Sequence, residues 1–141
     1  MMLGRYRGRV LALAVALVAV GCVASTRIPR PADFPLHAAD HPFFDLHWRV
    51  DRLDGVVRAT GLVEATRVSG VARVVVELAG LDRGGQVVSR ARAGTYEGPL
   101  YRGDARPFVV RLRPRGQEER FDLKVWGFDW DTRGDGGERA P

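Results

Sequence analysis

Apolar and polar residues alternate one by one in the segment that begins at Phe43. The apolar residues are Phe44, Leu46, Trp48 and Val50, and the residues between them are Asp45, His47, Arg49 and Asp51. An alternation with period two is typical of a strand that buries one face and exposes the other. We therefore predict a first strand here, followed by a turn at Asp54-Gly55.

Short segments with the same period continue through the rest of the chain, separated by glycine, proline and charged residues. We predict further strands at about 56–65, 71–81, 86–93, 107–113 and 120–130. The third strand is the most apolar, so we expect it at the centre of a sheet. Gly61, inside the second strand, indicates a bulge or a close approach of two backbones.

About six or seven short strands, with turn signals at intervals of about ten residues, define the fold class. They predict an all-β domain over residues 43–131, a small antiparallel immunoglobulin-like β-sandwich. Nowhere in this part of the chain does the apolar spacing favour a helix over a strand.

A different pattern occupies the N-terminus, where an apolar run follows a basic start. Arg5, Arg7 and Arg9 precede an unbroken apolar run at 10–20. This is the pattern of a signal peptide. A membrane-spanning helix needs about 20 apolar residues, so we expect residues 1–21 to be removed and not to remain as a transmembrane anchor.

The end of this run, Ala19-Val20-Gly21-Cys22, resembles the lipobox of bacterial lipoprotein precursors. The resemblance implies a diacylglyceryl group on Cys22, with acyl chains such as palmitate, and a mature chain that begins at this residue. Ala19 stands where that family usually has leucine. Ordinary secretion, with cleavage just before Ser25, is the alternative.

Residues 22–42 read as a lipidated cysteine and a proline-rich tether. Pro29, Pro31, Pro35 and Pro42 disfavour a regular helix and favour extended backbone. At the other end, residues 132–141 are rich in glycine and charge, and we expect a disordered tail there.

The order of features along the predicted domain resembles FxLYD-type and related immunoglobulin-like domains of bacterial envelope proteins. The features are Gly61-Leu62-Val63, Leu78-Ala79-Gly80-Leu81-Asp82, Val87-Val88 and Pro107-Phe108-Val109-Val110. Leu78 and Leu81 stand where that family shows Phe and Tyr. The resemblance implies a fold and not an activity.

Charge and cysteine content narrow the classes of partner. The formal net charge is +5, but removal of the three signal-peptide arginines leaves 19 basic against 17 acidic residues, or +2. A nearly balanced, exported chain is not expected to bind nucleic acid. Cys22 is the only cysteine, so the chain cannot form an internal disulfide.

No residue pattern indicates catalysis, a metal or a cofactor. His37, His41 and His47 are the only histidines. We interpret them as solvated, because two lie in the predicted tether and one on the outer face of the first strand. No serine or threonine is placed with a histidine base as nucleophilic catalysis requires. We expect no enzyme activity, no metal site and no cofactor.

Three aromatic residues near the end of the last predicted strand are the candidate binding residues. Trp126, Phe128 and Trp130 have the spacing of one strand face. They would either form a surface that binds a protein or sugar, or belong to the sandwich core or to a layer that covers the sheet. Both interpretations remain open at this point.

Together these features predict a lipid-anchored protein of the cell envelope. We expect a non-catalytic structural or protein-interaction module, held to the membrane through Cys22 and meeting an envelope protein partner. The resemblance to lipoprotein precursors implies, from Val23 instead of Asp after the cysteine, sorting to the outer membrane facing the periplasm if the cell is Gram-negative. A periplasmic or extracellular binder of a small ligand or polysaccharide is the alternative.

The lipidation prediction is checked by the intact mass of the protein from a membrane fraction. We expect the mass of residues 22–141 plus acyl groups, and we expect a Cys22→Ala variant to lose the acyl mass and the membrane association. An unmodified chain that begins near Ser25 would instead identify an ordinary secreted protein.

Overall fold

A computed structural model describes residues 27–132. The predicted signal peptide, Cys22 and almost all of the predicted tail lie outside the described residues. Within them, no helix is long and apolar enough to cross a membrane.

The described chain consists of seven strands and one 3-10 turn, Pro31–Asp33. The strands are β1 (Leu36–Ala38), β2 (Phe44–Leu53), β3 (Val56–Ala65), β4 (Val71–Leu81), β5 (Val87–Gly94), β6 (Ala105–Leu112) and β7 (Arg120–Trp130). They form a four-stranded sheet of order β1-β2-β3-β6 and a three-stranded sheet of order β5-β4-β7. All pairings are antiparallel, which confirms the predicted all-β sandwich.

The path of the chain between the sheets follows the immunoglobulin-like order. The hairpins β2-β3 and β4-β5 each stay within one sheet, and then β6 returns to β3 and β7 returns to β4. Strands β2, β3 and β6 thus occupy positions A, B and E of such a sandwich, and β5, β4 and β7 occupy C′, C and F. In the described part of the chain, no strand pairs with the outer side of β7, where strand G of such a sandwich would lie. β7 therefore pairs on one side only.

The core lies between the sheets and is built from alternate residues. Val74, Val76 and Leu78 on β4 are fully buried, and they pack with buried residues of the opposite sheet such as Phe44 and Phe108. Full burial of one such side chain contributes about 1.5–3 kcal/mol. The predicted central place of β4 in a sheet is confirmed.

The predicted tether is partly a structured element of the domain. β1, at Leu36–Ala38, lies within it and pairs with the β2 segment from Leu46 to Trp48. Phe34 is only 5% exposed, and the guanidinium of Arg49 lies 5.3 Å from its ring centroid. The prolines disfavour a regular α-helix but permit a 3-10 turn and a short edge strand, so the folded domain begins before residue 43.

Gly61 is a point of close approach and not a bulge. It lies between Trp48 on β2 and Phe108 on β6 with no shift in register. A β-carbon at this position would collide with the carbonyl oxygen of His47 and come within 2.9 Å of the Phe108 ring. Only glycine lets the aromatic ring cover the backbone here.

We expect Gly61→Ala to lower the free energy of unfolding by about 1–3 kcal/mol, because the added methyl group overpacks the core. Chemical denaturation monitored by tryptophan fluorescence measures the change. Gly127→Ala is the matched control, since a β-carbon there meets nothing within 4 Å. Equal effects of the two substitutions would contradict the packing explanation.

Candidate interaction surface

A bulge in β7 separates the three aromatic residues that the sequence placed on one face. The pairing with β4 shifts between Val75 and Val76, where Val76 faces Val125 and Val75 faces Gly127. Trp126 is the extra residue, and alternation resumes one position later. The prediction of a shared face is therefore wrong: Phe128 lies opposite the inward-facing Val74, while Trp126 points outward.

Trp126 lies on the outer face of the three-stranded sheet and is 53% exposed. The guanidinium carbon of Arg92 on β5 is 3.9 Å from its ring centroid, a cation–π contact. Such a contact contributes about 0.5–1 kcal/mol at an exposed site. It also holds the indole in one orientation on an open sheet face.

Glu77 lies on the central strand β4 and is only 2% exposed. Its carboxylate holds Arg92 in place beneath the indole of Trp126. In the register it faces Arg92 on one side and Lys124 on the other. Arg92 Nε donates to its Oε2 at 2.7 Å, and Lys124 Nζ lies 3.4 Å from its Oε1. The sequence analysis did not single out Glu77 or Arg92.

The balance of forces on Glu77 favours its charged form. Burial alone would raise its pKa, but the hydrogen bonds and charges of Arg92 and Lys124 outweigh burial, so the pKa lies below its ordinary value. The carboxylate is thus ionised at neutral pH and fixes both cations on the sheet face. We call Trp126, Arg92, Glu77 and Lys124 the outer-sheet surface.

Phe128 belongs to an aromatic cluster at the end of the sandwich and not to the outer-sheet surface. Its ring lies 5.3 Å from that of Phe44 and 5.8 Å from that of Phe43, both edge to face. His41 stacks on Phe44 at 5.1 Å. Burial lowers the pKa of His41, against a smaller opposite effect of Asp40. For Phe128 the core interpretation is correct.

Trp130 covers the edge of this aromatic cluster. It contacts Phe128 edge to face at 5.2 Å and is 54% exposed. Tyr96 and Tyr101, also half exposed, lie in the loop between β5 and β6. Leu100 of this loop bridges to Val71, which is the residue opposite Trp130. The exposed aromatic residues therefore occupy two separate places, with Trp126 on the sheet face and Trp130 at this end.

The interpretation of all three histidines as solvated is wrong for His47. Its side chain is 13% exposed, because it lies between His37 on β1 and Glu64 on β3. His41 is also partly covered by the aromatic cluster. In residues 27–132, no group of three or more histidine, cysteine, aspartate or glutamate side chains is arranged to hold a metal ion.

The carboxyl group of Glu118 has a strongly lowered pKa, and its hydrogen bonds stabilise a loop. Its carboxylate accepts hydrogen bonds from Ser89 Oγ at 2.6 Å and from the backbone N–H groups of Arg115 and Gly116. Because of these hydrogen bonds, its pKa is lowered to about 2. Two of the donors belong to the connection before β7, and Ser89 lies on β5, so the shift has a structural cause.

A surface cavity of about 460 Å³ lies on the far side of the molecule, against the outer face of the four-stranded sheet. It is lined by Ile28, Pro29, Leu62, Glu97, Ala105 and Pro107. Only Glu97 among these brings a charged group, so the lining offers apolar contact and no set of converging polar side chains.

Comparisons with protein-family models, with curated proteins and with solved structures found no match to this chain.

We expect Glu77→Gln to lower the free energy of unfolding at neutral pH by about 1–3 kcal/mol, because two charged partners lose their carboxylate. The folded-state pKa is lowered, so this contribution is complete above the ordinary carboxyl pKa of about 4.3 and is lost as the pH falls. Urea denaturation at neutral and acid pH should therefore show a difference that shrinks in acid.

Asp122→Asn is the matched control for this substitution. Asp122 lies on the neighbouring strand with a side chain that is 61% exposed and an arginine contact of 3.8 Å. We expect a change within about 0.5 kcal/mol. A Glu77→Gln effect that is equally small, or that is independent of pH, would contradict the stabilising role of the carboxylate.

Proposed function

We propose that this protein is a lipid-anchored module of the bacterial cell envelope that binds a partner protein without catalysis. The observation that supports it best is the exposed indole of Trp126, held by Arg92 above the buried carboxylate of Glu77. Tryptophan and arginine are the residue types that dominate binding energy at protein interfaces. Because the sheet already holds both side chains, a partner meets them with little loss of side-chain entropy.

The free edge of β7 extends this surface. Its residues before the bulge run from Arg120 to Val125 and, within residues 27–132, pair with β4 on one side only. The other side offers backbone N–H and C=O groups to an extended segment of a partner, as in recognition by strand addition. Trp126 stands directly after this stretch, so backbone pairing and indole contact are available to one partner.

The anchoring part of the proposal comes from the lipobox resemblance at Cys22. The buried Phe34 lies twelve positions after Cys22. At about 3.3 Å per residue this chain spans at most about 40 Å. A diacylglyceryl group gives stable anchoring, because two acyl chains suffice. The proposed location is the outer membrane facing the periplasm if the cell is Gram-negative.

The interaction is tested by photo-cross-linking in cells that produce the full chain. A photoreactive residue replaces Arg90, which is exposed on β5 beside Arg92. We expect one discrete adduct, weakened about 30-fold or more by Trp126→Ala, since a tryptophan at the centre of an interface contributes 2 kcal/mol or more. Mass spectrometry of the peptides from the adduct identifies a protein partner by peptides that do not come from this chain, whereas a loss of adduct mass after treatment with a glycan-cleaving enzyme identifies a polysaccharide.

Two controls separate this surface from the rest of the molecule. The same photoreactive residue at Arg111, exposed on the opposite sheet, should give no such adduct. Trp130→Ala removes an indole of equal exposure and should leave the adduct unchanged. The proposal is wrong if position 111 gives the same adduct, or if Trp126→Ala has no effect.

A further inference from the structure

Two imidazole rings meet at the edge of the four-stranded sheet, away from the outer-sheet surface. His37 on β1 and His47 on β2 are directly opposite in the register. Their Nδ1 atoms are 2.7 Å apart, and the ring centroids are 5.0 Å apart in an edge-to-face arrangement. At this distance a hydrogen lies between the two nitrogens, and only one of them carries it.

Glu64 on β3 determines the state of the His47 ring. Its Oε2 lies 3.0 Å from His47 Nε2. A carboxylate only accepts hydrogen bonds, so Nε2 carries the hydrogen and the neutral ring has its lone pair on Nδ1. A carboxylate behind the distal nitrogen is the arrangement that orients histidine ligands of metal ions and raises their basicity. His47 is therefore oriented as an Nδ1 ligand.

The separation of the two nitrogens is close to what a bound ion requires. Zn²⁺ binds imidazole nitrogen at about 2.0–2.1 Å, so two ligands of a tetrahedral ion lie about 3.3 Å apart. The two Nδ1 atoms need to separate by about 0.6 Å to reach this distance. His37 is exposed on a short edge strand and can make the adjustment, while His47 stays in place.

The surrounding charges favour a cation. Asp45 lies two residues before His47 on the same face of β2, directly opposite Glu64. Its Oδ1 is buried and has no hydrogen-bond partner within the described chain. Arg49, the cation that follows His47 on this face, is turned to the Phe34 ring. Two carboxylates therefore border the histidine pair.

We propose that His37 and His47 form a two-histidine clip that binds a divalent transition-metal ion with a preference for imidazole. Solvent completes the coordination, and Zn²⁺ serves as the test ion. Imidazole suits Zn²⁺, Cu²⁺ and Ni²⁺. With two protein ligands, the clip binds more weakly than a closed four-ligand site. The hydrogen between the rings moves from Nδ1 to Nε2 of His37, the ion takes its place with both Nδ1 atoms as ligands, and the three-residue strand β1 is thereby held to the sheet. This site does not depend on the proposed partner surface.

The test is a calorimetric titration of Zn²⁺ into the full chain at neutral pH, purified in detergent without a polyhistidine tag. We expect saturable binding of one ion per chain, and a rise of the melting temperature with Zn²⁺ concentration, since an ion that binds the folded state stabilises it. His37→Ala should abolish the saturable binding. Glu64→Gln keeps both ligands but should weaken binding about tenfold or more.

His41→Ala is the matched control, because His41 is the third histidine and stacks on Phe44 away from the pair. It should bind Zn²⁺ as the unaltered chain does. Circular dichroism confirms that each variant is folded, and the exposed position of His37 on a short edge strand favours that outcome. The proposal is overturned if the unaltered chain shows no one-to-one binding, or if His37→Ala binds Zn²⁺ equally well.

Discussion

The rest of the structure depends on the burial of both faces of β4. Its inner face carries Val74, Val76 and Leu78, which fill the space between the sheets. Its outer face carries Glu77, whose charge could not be buried without partners. The two neighbouring strands supply these partners, so the same carboxylate that completes the sheet also fixes Arg92 and, through it, the indole of Trp126. Stability of the sheet and exposure of an ordered tryptophan are thus consequences of one arrangement.

Strands β2 to β7 and the central place of β4 could be predicted from the sequence, because period two and a largely apolar segment are local signals. The faces of β7 could not, because its bulge inserts one residue at Trp126 and reverses the alternation after it. Arg92 could not be predicted as the partner of Glu77, because a shift in register lies between them and the hairpin turn. The register of β4 with β5 shifts between Gly80 and Leu81, so a simple hairpin count would place Ala91, and not Arg92, opposite Glu77.

Long-range contacts explain the other differences between the sequence analysis and the structure. β1 has three residues within a proline-rich segment, too few for a periodic signal, and its place depends on pairing with β2. That pairing brings His37 to His47. The alternation correctly placed His47 on the outer face of β2, but it could not show that His37 covers the ring. Gly61 was recognisable as a special position, but its reason, the ring of Phe108 against its backbone, appears only when β6 has paired with β3.

The bulge at Trp126 has a further consequence for the membrane-anchored protein that we propose. Open sheet edges can pair with those of neighbouring molecules, and confinement to a surface makes such encounters frequent. The bulge twists β7 after Val125 and limits its regular edge to about six residues, while Asp122 and Lys124 place charges along it. Among the other edge strands, β1 offers three residues, whereas β5 and β6 have eight residues each. The regular part of the β7 edge, which we propose for a partner protein, is thus short, and its shortness limits pairing with a neighbouring copy of the chain.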